Sequence, residues 1–475
     1  MAETLRPDIC VIGGGPGGLS VAAAAGALGA PTVLIEADKM GGGYLDTGCV
    51  PSKALLTAAR RAEMTRNAKM FGVDVRDIRV NFSDIHRRIH LLIASAARAN
   101  SVERFGGLGV RVIHAQAKFK DRNTVIAGDI EIKARRFVIA TGSKPALPGI
   151  PGLDSGAYLT NESIFDLTER PEHLIIIGAG SDAIELAQGF RRLGSSVTVL
   201  EAAQPLGRDD PECAAVVLSQ LEREGVVIRS GVNVVGISHA GRTVTATIDS
   251  GDAEQTITGS HLLVAVGRSP SIADLDLDAA GIRHERSGIV VNRKLKTGNR
   301  RVYAIGDCIA GASLLANAAN YHAGLVIRNA LFRLPIRVNN DCIPWVTFTD
   351  PELAQVGLTE AGARQQGIKI RVTRWPYHDN DRALVEGEPR GHIKVITTDK
   401  GKIVGATIVG VQAGELIAMW VLAVSRNLNL RDVTDLVLPY PTLSEIGKRA
   451  ATDYFTPGLT SIWTRRIIGW MRIFG

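Results

Sequence analysis

Three glycines near the start of the chain have the spacing of a loop that binds the diphosphate group of a dinucleotide. Gly13, Gly15 and Gly18 fit the pattern G-x-G-x-x-G. The first glycine permits a tight turn, the second lets the backbone approach the diphosphate, and the third lets a helix pack closely on a strand. Glu36 follows at an interval where a carboxylate can accept hydrogen bonds from an adenosine ribose. The segment therefore predicts a dinucleotide site.

The same arrangement occurs a second time further along the chain. Gly178, Gly180 and Ala183 repeat the spacing, and Glu201 follows Gly178 at the interval that separates Glu36 from Gly13. One such loop is a weak signal, whereas two with equal spacing are a strong one. We therefore expect two dinucleotides of the adenine type. The alternative is a pair of glycine turns that bind no ligand.

A buried strand must precede each loop and a helix must follow it. Residues 8–13 form a short apolar run typical of a parallel strand, an alanine-rich stretch continues to Leu28, and a second apolar run covers 32–35. The runs 174–177 and 197–200 flank the second loop in the same way. The pattern predicts an α/β protein with two Rossmann-like domains.

Composition limits the classes of function. The chain has 475 residues, 45% of them hydrophobic and 22% charged, which suits about three globular domains and excludes wholesale disorder. Much of the net charge of +7 lies at the C-terminal end and only 5% of residues are aromatic, so we expect no nucleic-acid partner. Because the five cysteines are scattered, we expect no disulfide scaffold, no metal site and a reducing, cytoplasmic location. The uncharged run 9–35 is interpreted as the first loop with its flanking elements and not as a targeting segment.

Further motifs resemble those of the flavoprotein disulfide reductases, the family of dihydrolipoamide dehydrogenase, glutathione reductase and mercuric reductase. They are Ala140-Thr141-Gly142, Gly267-Arg268, Tyr303-Ala304-Ile305-Gly306-Asp307 and the run PWVTFTDPELAQVG from Pro344. The resemblance extends to about Pro457 and implies FAD at the first loop, a nicotinamide dinucleotide at the second, and a homodimer. It also implies that Asp307 contacts the ribityl chain of FAD, and that four further residues line the cofactors: Gly43, Thr141, Gly142 and Gly267.

The resemblance also implies how the chain is divided. We expect an FAD-binding domain in two parts, 1–150 and 271–340, with the NAD-binding domain, 151–270, between them. A C-terminal α+β dimerisation domain covers 341–457. A basic amphipathic tail, 458–475, follows it.

The redox centre of the family is incomplete in this sequence. Relatives carry two cysteines on the helix beside the flavin, and here Cys49 occupies the second position while Tyr44 replaces the first. The resemblance identifies Cys49 as the thiol next to the flavin and the missing one as the thiol that exchanges with disulfide substrates. An inert core cysteine is the alternative. Lys53 and Glu185 resemble the ion pair near the reactive flavin nitrogen, the alternative being an ordinary surface lysine and helix glutamate.

The acid–base group of the family is also replaced. The family has a histidine before Pro-Thr and a glutamate five positions later, whereas this chain has Tyr440 and Glu445 there. Histidine titrates near neutral pH and can exchange a proton with a thiol, whereas a phenol with a pKa of about 10 is a poor substitute. Mercuric reductases also have tyrosine at this position, but they keep both helix cysteines and add a terminal pair. The resemblance therefore does not predict mercury reduction.

These features predict an FAD-dependent NADH oxidoreductase that passes electrons from the flavin directly to a small acceptor such as a quinone. Glu201 favours NADH over NADPH, because a carboxylate suits a free 2′-hydroxyl and repels a 2′-phosphate, whereas the nearby Arg208 opposes that preference. The two alternatives are a dihydrolipoamide dehydrogenase and a non-catalytic flavoprotein scaffold.

The last segment of the chain has the pattern of an amphipathic helix. Trp463, Ile467, Trp470 and Phe474 recur on one face, and arginines lie away from it. The segment is too short and too charged to span a bilayer. It suits a helix lying on anionic lipid at the inner face of a membrane, and docking on the protein's own dimer is an equal alternative.

Overall fold

A strand, a helix and a second strand follow one another around each glycine loop, as dinucleotide binding requires. The computed structural model describes residues 3–155, 157–251, 253–459 and 462–473. Its first strands and helices are β1 (Glu3–Leu5), β2 (Ile9–Ile12), α1 (Pro16–Ala27), β3 (Thr32–Glu36), α2 (Gly43–Asp46), α3 (Cys49–Arg66), α4 (Phe82–Ala97), α5 (Val102–Gly107), β4 (Val110–His114), β5 (Ala117–Asp121), β6 (Thr124–Ala127), β7 (Ile130–Ile132), β8 (Arg136–Ile139) and β9 (Ser143–Pro145).

The middle of the chain contains the second glycine loop. Its elements are β10 (His173–Ile177), α6 (Ser181–Arg192), β11 (Ser196–Glu201), α7 (Pro211–Arg223), β12 (Val227–Ser230), β13 (Asn233–Ala240), β14 (Thr243–Asp249), β15 (Glu254–Gly259), β16 (His261–Val264), β17 (Arg268–Pro270), β18 (His284–Glu285), β19 (Gly288–Ile289), β20 (Val302–Ala304) and α8 (Ala316–Ala330).

The last part of the chain is mixed α and β. Its elements are β21 (Trp345–Thr347), β22 (Glu352–Gly357), α9 (Glu360–Gln365), β23 (Ile370–Pro376), α10 (Asp381–Val385), β24 (His392–Thr398), β25 (Ile403–Gly410), α11 (Ala413–Arg426), α12 (Leu430–Thr434), α13 (Glu445–Leu459) and α14 (Ile462–Met471). None of the helices in the described part of the chain is long and apolar enough to cross a bilayer.

The chain forms two compact units. The first comprises Met1–Ala179, Gly189–Ala202 and Gly231–Val338, and the second comprises Gly180–Gln188, Ala203–Ser230 and Asn339–Gly475. The second unit thus takes α7 and the beginning of α6 from the middle of the chain. The domain boundaries inferred from the sequence stay a prediction.

A parallel sheet in the first unit positions the first glycine loop. Its strand order is β20-β8-β2-β3-β4, and Ile12 lies opposite Ile35 on one side and Ile139 on the other. The predicted strand, helix and strand around the loop are confirmed as β2, α1 and β3. Because neighbouring strands run parallel, the residues after their carboxyl ends meet at one edge of the sheet. Gly13 and Ala140 lie at that edge.

The second glycine loop follows an equivalent strand. In the first unit, β10 pairs in parallel with β11 and with β16, and Ile177 lies opposite Leu200 and Val264. The antiparallel strands β13, β14 and β15 pack nearby in the same apolar core. Ile175 and Ile176 in β10 are completely buried. Each apolar side chain buried in this way stabilises the fold by about 1.5–3 kcal/mol.

The second unit is built on an antiparallel sheet in the order β21-β22-β25-β24-β23. Trp420 from α11 and Ile446 from α13 are buried in its core. Lys394 in β24 is also buried, and its Nζ lies 2.8 Å from Asp210, 3.1 Å from Glu212 and 2.9 Å from Glu360. Separating a buried ammonium group from three carboxylates costs free energy. This cluster therefore holds α7 against the sheet.

Candidate functional site

The first glycine loop has room for a ligand only beside its middle glycine. Gly13 has a φ of 106°, and a Cβ atom on it would overlap the carbonyl oxygen of Ala140. A Cβ on Gly18 would overlap the carbonyl oxygen of Gly13, so α1 packs against the end of β2 with no space for a side chain. Gly15 has open space on its side-chain side. The backbone N–H groups at the start of α1 thus border a free space, as phosphate binding requires.

A second glycine-rich segment closes against this loop. The amide of Gly41 donates to the carbonyl of Gly14 at 2.9 Å, and a Cβ on Gly42 would lie 2.8 Å from the Cα atom of Gly15. Glu36 supports the loop from the other side, because its carboxylate accepts hydrogen bonds from the amides of Gly14 and Asp38. The backbone around the open space is therefore fixed on two sides.

Three of the motifs found in the sequence meet in the first unit. The Ser143 hydroxyl donates to Asp307 at 2.7 Å, and Nε of Arg268 donates to the same hydroxyl at 2.7 Å. Arg268 also donates to the Ser143 carbonyl at 2.6 Å, where β17 pairs with β9. A Cβ on Gly43 would lie 3.9 Å from the Arg268 guanidinium. The structure thus brings Gly43, Arg268 and Asp307 into one region.

One buried polar atom of this region, the Thr141 hydroxyl oxygen, has no hydrogen-bond partner among the described residues. An orphaned buried hydroxyl costs free energy unless a ligand satisfies it. Together with the open space at Gly15, this atom shows that the residues present fit FAD. Gly142 and Gly267, both with positive φ, lie next in the chain to these contacts.

The second glycine loop repeats the geometry of the first. Gly178 has a φ of 102°, and a Cβ on it would overlap the carbonyl oxygen of Ala265. The amide of Ala179 donates to the Glu201 carboxylate at 2.7 Å, as Gly14 does to Glu36. Gly180 has open space beside it, and Ala183 is buried. The loop therefore has the same fit to a dinucleotide.

Helix α3 carries the one cysteine that remains of the family's pair. Cys49 is exposed at the first position of α3, and Lys53 follows one turn later. Tyr44 in α2 is half-buried, and its Oη accepts a hydrogen bond from Asn100 at 3.3 Å. None of the five cysteines, all of which lie in described segments, forms a disulfide bond. Cys49 is the only exposed one.

The remaining cysteines are poorly placed for redox chemistry. Cys10, Cys213 and Cys308 are completely buried, and Cys342 is half-buried. Burial raises the pKa of Cys308 to about 11, which keeps it as a neutral thiol beside Asp307.

A cavity of about 410 Å³ lies between α3 and α4. Its floor is largely apolar, with Val50 and Ala54 from α3 and Leu92 from α4. Lys53 and Arg88 provide the two cationic groups at its wall. The cavity is large enough for a small organic molecule, and it begins at the residue after Cys49.

Glu185 and Tyr440 lie in the second unit. The Glu185 side chain is buried, and its carboxylate accepts a hydrogen bond from the amide of Phe348 at 2.8 Å. Tyr440 is 69% exposed, and its hydroxyl donates to Asp381 at 2.7 Å. This hydrogen bond, with the negative charges of Asp381 and Glu445, raises the pKa of Tyr440 above its usual range. Lys53 belongs to the first unit and Glu185 to the second. The predicted ion pair between them stays a prediction.

Several residues in these contacts were not singled out from the sequence. Ser143 and Arg268 were not predicted as site residues, although Ser143 directly follows the motif Ala140-Thr141-Gly142 and Arg268 belongs to the motif Gly267-Arg268. Gly42 and Asn100 carried no local signal, because their partners Gly15 and Tyr44 lie far away in the chain. Among the residues that the structure describes, no cluster of three His, Cys, Asp or Glu side chains could hold a metal ion.

Comparison with known proteins places the chain in a family. Residues 7–323 match the model of the pyridine nucleotide-disulphide oxidoreductases, and residues 343–451 match the dimerisation domain of the same family. Mercuric reductase from Staphylococcus aureus is 33% identical over 450 residues, covering 94% of this chain and 82% of that protein. Dihydrolipoyl dehydrogenase from Geobacillus stearothermophilus is 32% identical over 462 residues, covering 94% of this chain and 96% of that protein.

Solved structures give the same result. LpdA from Mycobacterium tuberculosis has a TM-score of 0.86 and 26% identity, covering 95% of this chain and 99% of that one. The Cu(II) complex of the HOCl-induced flavoprotein disulfide reductase RclA from Escherichia coli has a TM-score of 0.83 and 27% identity, covering 94% of this chain and 99% of that one. The chain therefore belongs to the flavoprotein pyridine nucleotide-disulphide oxidoreductases, a family that binds FAD and NAD(P) and has a dimerisation domain.

Proposed function

We propose that the protein is an FAD-dependent NADH oxidoreductase that transfers electrons to a small acceptor other than a disulfide, with a quinone as the acceptor class. The observation that carries this proposal is the exposed thiol at Cys49, which forms no disulfide bond, with Tyr44 at the position of the first of the family's two helix cysteines. Thiol–disulfide exchange needs an attacking thiolate and a second thiol to resolve the mixed disulfide. One thiol per site supplies only half of this chemistry.

The environment of Tyr440 supports the proposal. Its hydroxyl donates to Asp381, and the pKa of the phenol is raised. At neutral pH Tyr440 therefore holds its proton and cannot act as the base that activates a dithiol substrate. The position retains a hydrogen-bond donor but lacks a group that titrates near neutrality.

The residues that we propose to bind the two dinucleotides are all present in the chain. FAD would be held by the amides around Gly15, the Thr141 hydroxyl and Asp307, and the nicotinamide dinucleotide by the loop from Gly178 with Glu201. Bound FAD would take two electrons from NADH and supply them to the acceptor. The chain's own residues bind and orient the two dinucleotides, and Ser143 and Arg268 hold Asp307 in place.

The cavity between α3 and α4 is the proposed acceptor site. Its apolar lining suits a flat ring, because Val50, Ala54 and Leu92 offer dispersion contacts and no hydrogen bonds. Lys53 and Arg88 stabilise negative charge that develops on a quinone oxygen as it is reduced. Arg88 also lies one helical turn from Leu92, so the charge and the apolar surface belong to the same helix face.

The preference for NADH is proposed on the contacts of two side chains. The Glu201 carboxylate is held by the Ala179 amide, so its charge stays at the end of the loop, where it repels a 2′-phosphate. Arg208 lies over the Trp345 ring, 4.4 Å from its centroid, a position stabilised by cation–π attraction. This contact competes with any role of Arg208 in binding a phosphate.

The C-terminal helix is proposed to lie on an anionic lipid surface. In α14, Trp463, Ile467 and Trp470 are 69%, 56% and 63% exposed, whereas Phe474 lies outside the described residues. Arg465 and Arg466 are exposed on the same helix. Water-exposed tryptophans beside arginines are typical of interfacial helices, and each arginine near anionic lipid contributes about 1 kcal/mol. A lipid-dissolved quinone would then lie within reach of the protein.

The first prediction concerns the acceptor. We expect turnover of NADH with a water-soluble benzoquinone to exceed turnover with lipoamide by a factor on the order of 10² or more, because the exchange thiol and the histidine base are both missing. Steady-state oxidation of NADH measures both rates. Cys49→Ser should retain most of the quinone activity, with Cys342→Ser as a matched control. Similar rates with both acceptors, or loss of quinone activity in Cys49→Ser alone, would contradict the proposal.

The second prediction concerns the nicotinamide dinucleotide. Glu201→Arg should move the ratio of kcat/KM for NADH over NADPH toward NADPH by about tenfold or more, because it removes a ribose acceptor and adds a partner for the 2′-phosphate. Glu254→Arg, at an exposed strand position, is the matched control for the change in charge. If the ratio is the same in Glu201→Arg and in the control, the preference is determined elsewhere.

The third prediction concerns the tail. The full chain should co-sediment with vesicles of anionic lipid at low salt, whereas a chain ending at Pro457 should stay in the supernatant. Arg465→Gln/Arg466→Gln should bind less than Arg426→Gln/Arg431→Gln, which removes the same charge from exposed positions outside the tail. If the two chains sediment equally, or if the two double variants bind equally, the tail is not a lipid anchor.

A further inference from the structure

A second cavity, of about 710 Å³, lies in the first unit and is lined by positive charge. Nine residues line it, none of them acidic and none aromatic. Six of the nine are cationic: Arg136, Arg293, Lys294, Lys296, Arg300 and Arg337. We call these six residues the basic cluster.

The basic cluster lies at the opposite edge of the parallel sheet from the first glycine loop. Arg136 begins β8 and pairs with Ile9 at the start of β2, whereas Gly13 follows the end of β2. Residues 292–300 precede β20, which runs parallel to β8, so they reach the same edge as Arg136. The cavity is therefore separate from the FAD loop, and neither glycine loop contributes to its lining.

The charges of the basic cluster are not neutralised by the protein. None of its six side chains forms an ion pair with any of the described residues, although exposed arginines elsewhere, such as Arg111 and Arg374, pair with carboxylates. Nε of Arg136 is buried and has no hydrogen-bond partner in the described parts of the chain. Burial, together with the charges of Arg136, Lys294 and Arg300, lowers the pKa of Lys296. The positive charges therefore repel one another unless an anion binds between them.

We propose that this cavity is a binding site for a small polyphosphate, either inorganic or attached to an organic group. Its volume is in the range of small-molecule sites, roughly 300–1,000 Å³. Guanidinium groups bind phosphate oxygens in a bidentate manner, and the cluster has four of them around one space. The lining offers no aromatic ring on which a nucleic-acid base could stack. The chemistry thus favours recognition through the phosphates.

Titration calorimetry with inorganic tripolyphosphate tests the site in the FAD-loaded protein, with saturating NAD⁺ present and at about 0.15 M salt, where long-range attraction is screened. Arg293→Gln/Arg300→Gln/Arg337→Gln removes three exposed members of the basic cluster. Lys369→Gln/Lys400→Gln/Arg426→Gln removes the same charge from exposed positions of the second unit. Circular dichroism confirms that both variants are folded.

We expect the cluster variant to bind tripolyphosphate at least about tenfold more weakly than the wild type, because charge-assisted contacts are lost. The control variant should bind as the wild type does. No binding to the wild type, or equal weakening in both variants, would overturn the proposal. Tighter binding of a single-stranded oligonucleotide than of tripolyphosphate would also overturn it, because the site would then belong to a nucleic acid.

Discussion

The contact between Gly18 in α1 and the carbonyl of Gly13 at the end of β2 sets the geometry of the dinucleotide edge. Helix and strand approach so closely there that any side chain would overlap the backbone. The start of α1 therefore faces the open space beside Gly15, and the segment around Gly42 packs onto the same loop. That segment leads directly into α2 and α3. The positions of Tyr44 and Cys49 thus depend on a backbone contact that only glycine permits.

The chain has the family's two dinucleotide loops but differs from the family at two positions that serve disulfide chemistry. Both glycine loops, their acids and the contact of Ser143 with Asp307 have the geometry that dinucleotide binding requires. Tyr44 occupies the position of the family's first cysteine, and the hydroxyl of Tyr440 donates a hydrogen bond to Asp381. The first change removes the thiol that exchanges with a disulfide, and the second removes the base that accepts a proton from a thiol. We infer from this combination that the protein transfers electrons without a disulfide step.

The features that could be predicted from the sequence depend on residues that lie close together in the chain. The strand, loop and helix around Gly13 follow from the glycine spacing and the apolar run before it, and the helix at 462–471 follows from its periodicity. Contacts between distant segments could not be predicted. Ser143 and Arg268 meet only because β9 pairs with β17, and Arg136 meets the 292–300 segment only because β8 pairs with β20. Likewise, Lys394 joins β24 to Asp210 and Glu212 through tertiary packing alone.

Anaerobic reduction of the FAD-loaded protein with dithionite tests the central claim most directly. A redox-active disulfide takes up two electrons in addition to those taken by the flavin. If Cys49 forms no disulfide bond, the visible flavin absorbance should fall from the first addition and be bleached by about one two-electron equivalent per FAD. A delay of one equivalent before bleaching, with about two equivalents consumed, would reveal a disulfide and contradict direct electron transfer.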